Sequence, residues 1–294
     1  MEGERQTMPE NGFLPPAELA KAFAKIGEDK AMLPMGRMFL LGVLAGVYIG
    51  FGSHLATTVS TGNGELFGVT RFLTGAVFSV GLMLVVVAGA ELFTGNNLMT
   101  VALCSRRIML AGMFRNWAVV YVGNLAGSIL LALIVALGSG LLAGPVGATA
   151  IKIAAMKTSA APVGDINHNL AFFLRGIGCN WLVCLAVYMA AASRDVTGKL
   201  LSCFFPIMAF VASGFEHCVA NMYFIPAGIF ALHFEAARVG SALSPQDLAG
   251  LNWASMWTQN LISVTLGNIV GGGVFAGMIY FWVYVRGTDV CKRD

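Results

Sequence analysis

Charged residues are scarce in this sequence. Asp, Glu, Lys and Arg make up 11% of its 294 residues, whereas hydrophobic residues make up 57% and the mean hydropathy is +0.76. A soluble domain carries about 25% charged residues, so the composition excludes that class and we expect no nucleic-acid partner. The sequence instead predicts a protein that crosses the lipid bilayer several times.

Signatures of several other classes are also missing. The six cysteines show no paired metal-ligand spacing, so we expect no metal site and no cofactor. The Asn-Pro-Ala boxes of a neutral-solute channel of the aquaporin type are absent. An intramembrane serine hydrolase using Ser213 with His217 is disfavoured. The sequence lacks the leading glycine of a nucleophile elbow and a second catalytic acid. The first 30 residues contain no apolar stretch typical of a signal peptide.

Long stretches without charge predict six membrane segments. A membrane-spanning helix needs about 20 apolar residues, and only Glu91 and Glu216 interrupt the second and fifth stretches. The six stretches are bounded by Arg37 and Glu65, Arg71 and Arg106, Arg115 and Lys152, Arg175 and Arg194, Lys199 and Glu235, and Asp247 and Arg286.

The chain divides into three predicted regions. Residues 1–33 form an N-terminal region, 34–286 a six-helix transmembrane channel domain and 287–294 a tail. Within the first region, residues 15–31 predict an amphipathic helix with Leu19, Phe23 and Ile26 on one face, expected to lie along the inner membrane surface. Of the 18 Lys and Arg residues, 13 fall in segments on the N-terminal side of the membrane and 5 on the other. This bias predicts a multi-pass protein of the cell (inner) membrane with both termini cytoplasmic.

Two matching motifs lie inside the second and fifth segments. Residues 89–96 and 214–221 place glycine, glutamate and asparagine at the same intervals, with the pairs Glu91 and Glu216 and Asn96 and Asn221. Polar groups at membrane depth are costly unless they are buried in protein or face a water-lined cavity. We expect both helices to be broken there and the breaks to face a pore; two tilted, continuous helices with paired glutamates are the alternative.

The repeat extends to the other segments. Residues 39–42 match residues 173–176, and Asn116, Asn124 and their neighbouring glycines match Asn260, Asn268 and theirs. Three matched segments per half predict an all-α protein with an inverted 3+3 repeat and a site near the bilayer midplane.

These motifs carry a resemblance to a known family. The chain resembles the formate/nitrite transporter family in residues 91–95, 179–186, 212–217 with 220–222, and 266–268. The resemblance implies an aquaporin-like six-helix protomer, a homopentamer with one pore per subunit and permeation of small monovalent anions. It implies no enzymatic activity. Formate is the substrate expected first; nitrite, hydrosulfide and lactate are alternatives within the family.

The resemblance also implies roles for particular residues. His217, Thr94 and Asn180 would form the pore centre, and Glu91 and Glu216, with Asn96 and Asn221, would anchor the broken helices. The two apolar constrictions would consist of Phe78, Leu82, Leu92 and Phe210. Lys157 or Arg175 would supply positive charge to the outer vestibule, although the loop containing residues 160–169 is longer than the family pattern.

The residue chemistry at the predicted centre supports this assignment. A carboxylic acid with a solution pKa of about 4 is almost wholly ionised at pH 7, so its anion crosses apolar constrictions at high cost. His217 can stabilise the anion's charge or give it a proton. Simpler interpretations remain: His217 and the phenylalanines as packing residues, and Thr94 as a helix N-cap.

Overall fold

The fold is built from helices that traverse an apolar layer. The structure is a computed structural model, which describes residues 13–62 and 66–291. The described residues contain six helices long and apolar enough to cross a membrane: Met35–Ser60, Phe67–Gly89, Leu110–Gly138, His168–Ala192, Val196–Ser213 and Trp253–Val285. The six predicted segments are therefore confirmed. Parts of the two predicted terminal regions, residues 1–12 and 292–294, lie outside the described residues.

Shorter helices connect these six. In chain order the helices are α1 (Pro16–Met32), α2 (Met35–Ser60), α3 (Phe67–Gly89), α4 (93–104), α5 (Leu110–Gly138), α6 (Pro145–Thr158), α7 (His168–Ala192), α8 (Val196–Ser213), α9 (Cys218–Ala231), α10 (Glu235–Gly240), α11 (Pro245–Gly250) and α12 (Trp253–Val285).

The helices stop at both motifs that contain a glutamate. Helix α3 ends at Gly89, whose φ is +89°, and α4 begins after the extended residues Ala90 and Leu92. Helix α8 ends at Gly214, whose φ is +81°, and α9 begins after the extended residue His217. Glycine adopts a positive φ without the steric cost that a Cβ brings, so the two glycines permit the chain to leave each helix.

Glycines bring the long helices into backbone contact in both halves. A Cβ added at Gly127 of α5 would lie 2.0 Å from the carbonyl oxygen of Val43 on α2. At the matching position on α12, a Cβ on Gly271 would lie 2.2 Å from the carbonyl oxygen of Ile177 on α7. The α2–α5 and α7–α12 pairs thus pack in the same way, through small residues that are typical of helix contacts in membranes.

Helices α1 and α6 precede the spans of the two halves. The predicted amphipathic helix is present as α1, but its apolar face is buried against protein. Leu19 and Phe23 are 3% and 4% exposed, and the Phe23 ring stacks on that of Tyr188 on α7 at 4.9 Å. Helix α6 was not predicted, because residues 145–151 fell at the end of the third charge-free stretch and residues 152–158 were assigned to an outer loop.

The close helix contact at Gly127 predicts a specific stability difference. We expect Gly127→Ala to lower the stability by about 1–3 kcal/mol, because the added methyl group forces two backbones apart. Gly68→Ala is the matched control, since nothing lies within 4 Å of its added Cβ. Thermal unfolding of the two purified variants measures the difference, and equal melting temperatures would show that this contact is not tight.

Candidate functional site

Two separate cavities approach the interrupted helices. The α1-side cavity has a volume of about 470 Å³, and its lining includes Lys30, Glu91 and Leu92. The α6-side cavity has a volume of about 820 Å³, and its lining includes Phe210 and His217. The two share no lining residue, so a barrier of side chains separates them.

Thr94 and His217 form a polar contact in this barrier. Thr94 Oγ1 lies 2.8 Å from His217 Nε2, and the two residues are 0% and 3% exposed. Thr94 lies in the first turn of α4, between two residues that line the α1-side cavity, whereas His217 lines the α6-side cavity. The structure therefore brings together two of the three residues predicted for the pore centre, although they are 123 positions apart in the chain.

The hydrogen bonds of His217 indicate which ring nitrogen carries the proton. As the N-cap of α9, His217 accepts the backbone N–H of Ala220 at Nδ1, over 3.1 Å. An acceptor nitrogen carries no hydrogen, so the proton of the neutral ring lies on Nε2 and points towards Thr94. Both ring nitrogens of His217 are thus engaged. Neither is bonded to Ser213, although the hydrolase interpretation requires such a bond.

Asn180 supports this region from α7 without reaching either cavity. Its Nδ2 lies 2.7 Å from Asn97 Oδ1, 2.7 Å from the carbonyl oxygen of Asn268 and 3.2 Å from that of Thr94. Asn180 is fully buried and lines neither cavity. It holds α4 against α7 and α12 at the level of the Thr94–His217 contact.

Apolar side chains flank the polar contact. Phe78 and Phe210 meet edge to face at 5.7 Å, both line the α6-side cavity, and Phe210 lies 5.9 Å from the His217 ring. Phe224, which sequence reasoning did not find, stacks on Phe78 at 6.4 Å. Leu92 lines the α1-side cavity, while Leu82 is 1% exposed and lines neither.

Glu91 joins four segments of the first half. Its carboxylate accepts a hydrogen bond from Lys30 Nζ at 2.5 Å and from Asn96 Nδ2 at 2.7 Å. Asn96 Nδ2 also donates to Asn116 Oδ1, and Asn116 Nδ2 donates to the carbonyl oxygen of Lys30. The network closes on itself and ties α1 and α5 to the α3–α4 interruption.

Glu216 makes the equivalent contacts in the second half. Lys157 Nζ lies 2.7 Å from its carboxylate, as does Asn221 Nδ2. Asn221 also donates to Asn260, and Asn260 Nδ2 donates to the carbonyl oxygen of Lys157. The end of α6 thus takes the place of the end of α1. Sequence reasoning missed Lys30 and put Lys157 in the vestibule, because neither lies in a segment that was recognised as repeated.

Two further asparagines satisfy the backbone at the interruptions. Asn124 Oδ1 accepts the N–H of Phe93, and its Nδ2 donates to the carbonyl oxygens of Gly42 and Glu91. Asn268 repeats all three bonds with Cys218 N–H and the carbonyl oxygens of Gly176 and Glu216. Both had been recognised from sequence as repeat markers, without a contact assigned to them.

The chain is similar to known transport proteins over nearly its whole length. Residues 17–282 match the sequence profile of the formate/nitrite transporter family. Over 288 residues the chain is 43% identical to the "Probable formate transporter" of Methanothermobacter thermautotrophicus, covering 94% of this chain and 99% of that protein. Over 283 residues it is 36% identical to "Formate channel FocA" of Escherichia coli K12, covering 94% and 96%. A solved "Pentameric formate channel with formate bound" is 41% identical, with a TM-score of 0.76 and coverage of 86% and 98%.

The Lys157–Glu216 pair predicts coupled effects on stability. We expect Glu216→Gln to destabilise by about 3–5 kcal/mol, because it leaves Lys157, whose side chain is 15% exposed, without its counter-ion. Adding Lys157→Met should recover part of that loss. Thermal unfolding measures both variants, with Asp29→Asn in the exposed Lys25–Asp29 pair as a near-neutral control. A double variant no more stable than the Glu216→Gln single variant would contradict the pairing.

Proposed function

This chain belongs to the formate/nitrite transporter family, and we propose that it conducts small monovalent anions across the membrane, formate first. The proposed assembly is a homopentamer with one pore in each subunit; the name of the solved relative describes that protein as a pentameric channel. The single observation that carries the proposal is the buried Thr94–His217 contact between two cavities.

Attraction of an anion to the pore centre comes from the two short helices. Helices α4 and α9 begin at Phe93 and Cys218, next to Thr94 and His217. The N-terminus of a helix carries partial positive charge and backbone N–H groups, both of which favour anions. A carboxylate between Thr94 and His217 would therefore face two positive helix ends, with no net charge required on the protein.

Passage requires the Thr94–His217 bond to open. In the closed arrangement Nε2–H donates to the hydroxyl of Thr94; in the proposed conducting arrangement it donates to the oxygen of the anion. Phe78, Phe210 and Leu92 exclude bulk water on either side, which strengthens this hydrogen bond because the local dielectric is low. The central donor thus offsets part of the cost that the apolar constrictions impose on a moving charge.

The histidine acts in this proposal as a hydrogen-bond donor. Protonation at Nδ1 would place two N–H groups against each other, because Ala220 N–H already points at that atom. Proton-linked passage through an imidazolium therefore needs the N-cap bond of α9 to break. The neutral ring with Nε2–H avoids that cost, which favours stabilisation of the anion over transfer of a proton from His217.

Nitrite is the alternative substrate within the family. It carries the same charge as formate in a similarly small, planar group, and it would use the same donor on His217. Hydrosulfide and lactate differ more, since hydrosulfide offers a single sulfur acceptor and lactate is larger.

The topology proposed for the chain follows from the duplicated contacts. The networks of Glu91 and Glu216, with Asn96 and Asn221, are proposed to anchor the two interruptions in halves that enter the membrane in opposite directions. The bias of Lys and Arg supports cytoplasmic termini in an inner membrane, with an N-terminal region 1–33, a channel domain 34–286 and a tail 287–294. The α1-side cavity would then open to the cytoplasm.

Positive charge in the α6-side cavity is proposed to come from Arg175. Both Arg175 and Lys157 line this cavity, but Lys157 is neutralised by Glu216 at 2.7 Å. Of the two predicted vestibule residues, Arg175 therefore remains available to an anion.

Uptake by proteoliposomes tests the central role of His217. We expect His217→Phe to lose most uptake of labelled formate and nitrite at both pH 5 and pH 7, because the ring keeps its bulk but loses its Nε2–H donor. The measurement is the initial rate of uptake under an imposed anion gradient, with equal amounts of folded protein confirmed by chromatography.

A second histidine provides the matched control for this variant. His233 is exposed and lines neither cavity, so His233→Phe should transport as the wild type does. Unchanged rates in His217→Phe would identify His217 as a packing residue and remove the basis of the proposal.

A further inference from the structure

The α6-side cavity contains a cation without a carboxylate partner. Arg175 on α7 lines this cavity, and its guanidinium carbon lies 5.2 Å from the ring centre of Phe172. Within the described ranges no salt bridge includes Arg175, whereas Lys157 in the same cavity is paired with Glu216. A half-buried guanidinium with only an aromatic contact retains its hydrogen-bond donors for another acceptor.

A buried imidazole lies against the same aromatic ring. His168, the first residue of α7, stacks on Phe172 with ring centres 4.0 Å apart. It is 3% exposed and lines the α6-side cavity, yet its Nε2 has no hydrogen-bond partner in the described part of the chain. The backbone carbonyl groups of Gln259, Lys157 and Ala161 lie near the ring, but none of them closes a hydrogen bond to Nε2. A buried ring nitrogen without a partner is costly, so Nε2 is open to a group supplied from the cavity.

We propose that Arg175 and His168 form an anion-binding subsite at the ring of Phe172, which holds a small carboxylate before it reaches His217. This inference rests on the proposed function and adds to it the first binding position of the anion in the α6-side cavity. The guanidinium would bind the carboxylate through paired N–H donors, and Nε2–H of His168 would donate to the same anion.

The chemistry of the two side chains selects a carboxylate. Residues 168, 172 and 175 fall on one face of α7, since positions separated by three or four residues share a helix face. A planar guanidinium matches the two oxygens of a carboxylate, and the resulting charge-assisted bonds are among the strongest in proteins. His168 also lies at the N-terminus of a 25-residue helix, whose positive end adds to the attraction. With the proton of His168 on Nε2, both groups are donors, so a cation would be bound poorly and a neutral carbonyl group more weakly than a carboxylate.

Concentration-dependent formate uptake by proteoliposomes tests the subsite. At constant pH and ionic strength we expect Arg175→Gln to raise the half-saturating formate concentration about tenfold, as loss of a charge-assisted hydrogen bond does, with little change in the maximal rate. Arg175→Lys should recover part of this loss, because it restores the charge without the paired donors. His168→Phe keeps the stack on Phe172 and should raise the half-saturating concentration by a smaller factor.

Lys152→Gln is the control for general electrostatic attraction. Lys152 is an exposed cation that lines the same cavity, so its loss removes one charge without touching the proposed subsite. An increase as large as that of Arg175→Gln would overturn the proposal, as would wild-type half-saturation in either Arg175→Gln or His168→Phe.

A binding measurement separates the subsite from the transport activity. Formate should raise the melting temperature of the wild-type protein above that in sodium chloride of equal concentration, since a ligand of the folded state stabilises it. The rise should be smaller in Arg175→Gln than in the wild type, because the His217 position still binds formate there, and it should be fully retained in Lys152→Gln. If Arg175→Gln reduces the rise but the wild type takes up no formate, the subsite stands and the proposed function fails; a rise in Arg175→Gln equal to that of the wild type overturns the subsite.

Discussion

Two interruptions of helices inside an apolar layer set the main physical constraint on this protein. Each interruption frees backbone N–H and carbonyl groups, and those that face no cavity must be satisfied by protein groups. Asn124 and Asn268 do this with three matching hydrogen bonds each. The Lys30–Glu91 and Lys157–Glu216 networks then tie each interruption to the helix that precedes its half. The close glycine contacts, the buried asparagines and the positions of α1 and α6 all serve this requirement.

The two halves share the arrangement of their helices and interruptions but differ in the side chains at the centre. By the alignment that relates Glu91 to Glu216, Leu92 stands where His217 stands, so one imidazole and one leucine occupy equivalent places. By the separate alignment that relates residues 39–42 to 173–176, Asn180 corresponds to Gly46. Asn180 fits because Gly272 leaves room: a Cβ on Gly272 would lie 2.3 Å from Asn180 Nδ2. The two halves therefore share a backbone arrangement but differ in the side chains at the proposed pore centre, where only one half supplies a histidine. We infer that this asymmetry permits a single anion site in a duplicated structure.

Sequence patterns predicted the membrane spans and their interruptions better than the contacts between distant segments. Charge-free stretches indicated six spans, and the matched Gly-x-Glu motifs indicated where α3 and α8 end, because hydropathy and glycine conformation act locally along the chain. Contacts between distant segments gave weaker signals in the sequence. Lys30 and Lys157 read as surface charges since each lies outside the spans, and α6 was divided between the third charge-free stretch and an outer loop. Phe224 carried no signal of its own, while the proton position on His217 depends on a backbone N–H that only the folded chain brings to Nδ1.

The most direct measurement of the central claim is an experimentally determined structure of the protein prepared in formate, at a resolution that locates the anion. A formate oxygen within hydrogen-bond distance of His217 Nε2, with Thr94 displaced and Nδ1 still bound to Ala220 N–H, is the predicted result. Formate found only elsewhere, with Thr94 and His217 still in contact and both interruptions facing lipid, would contradict a conducting path through this contact.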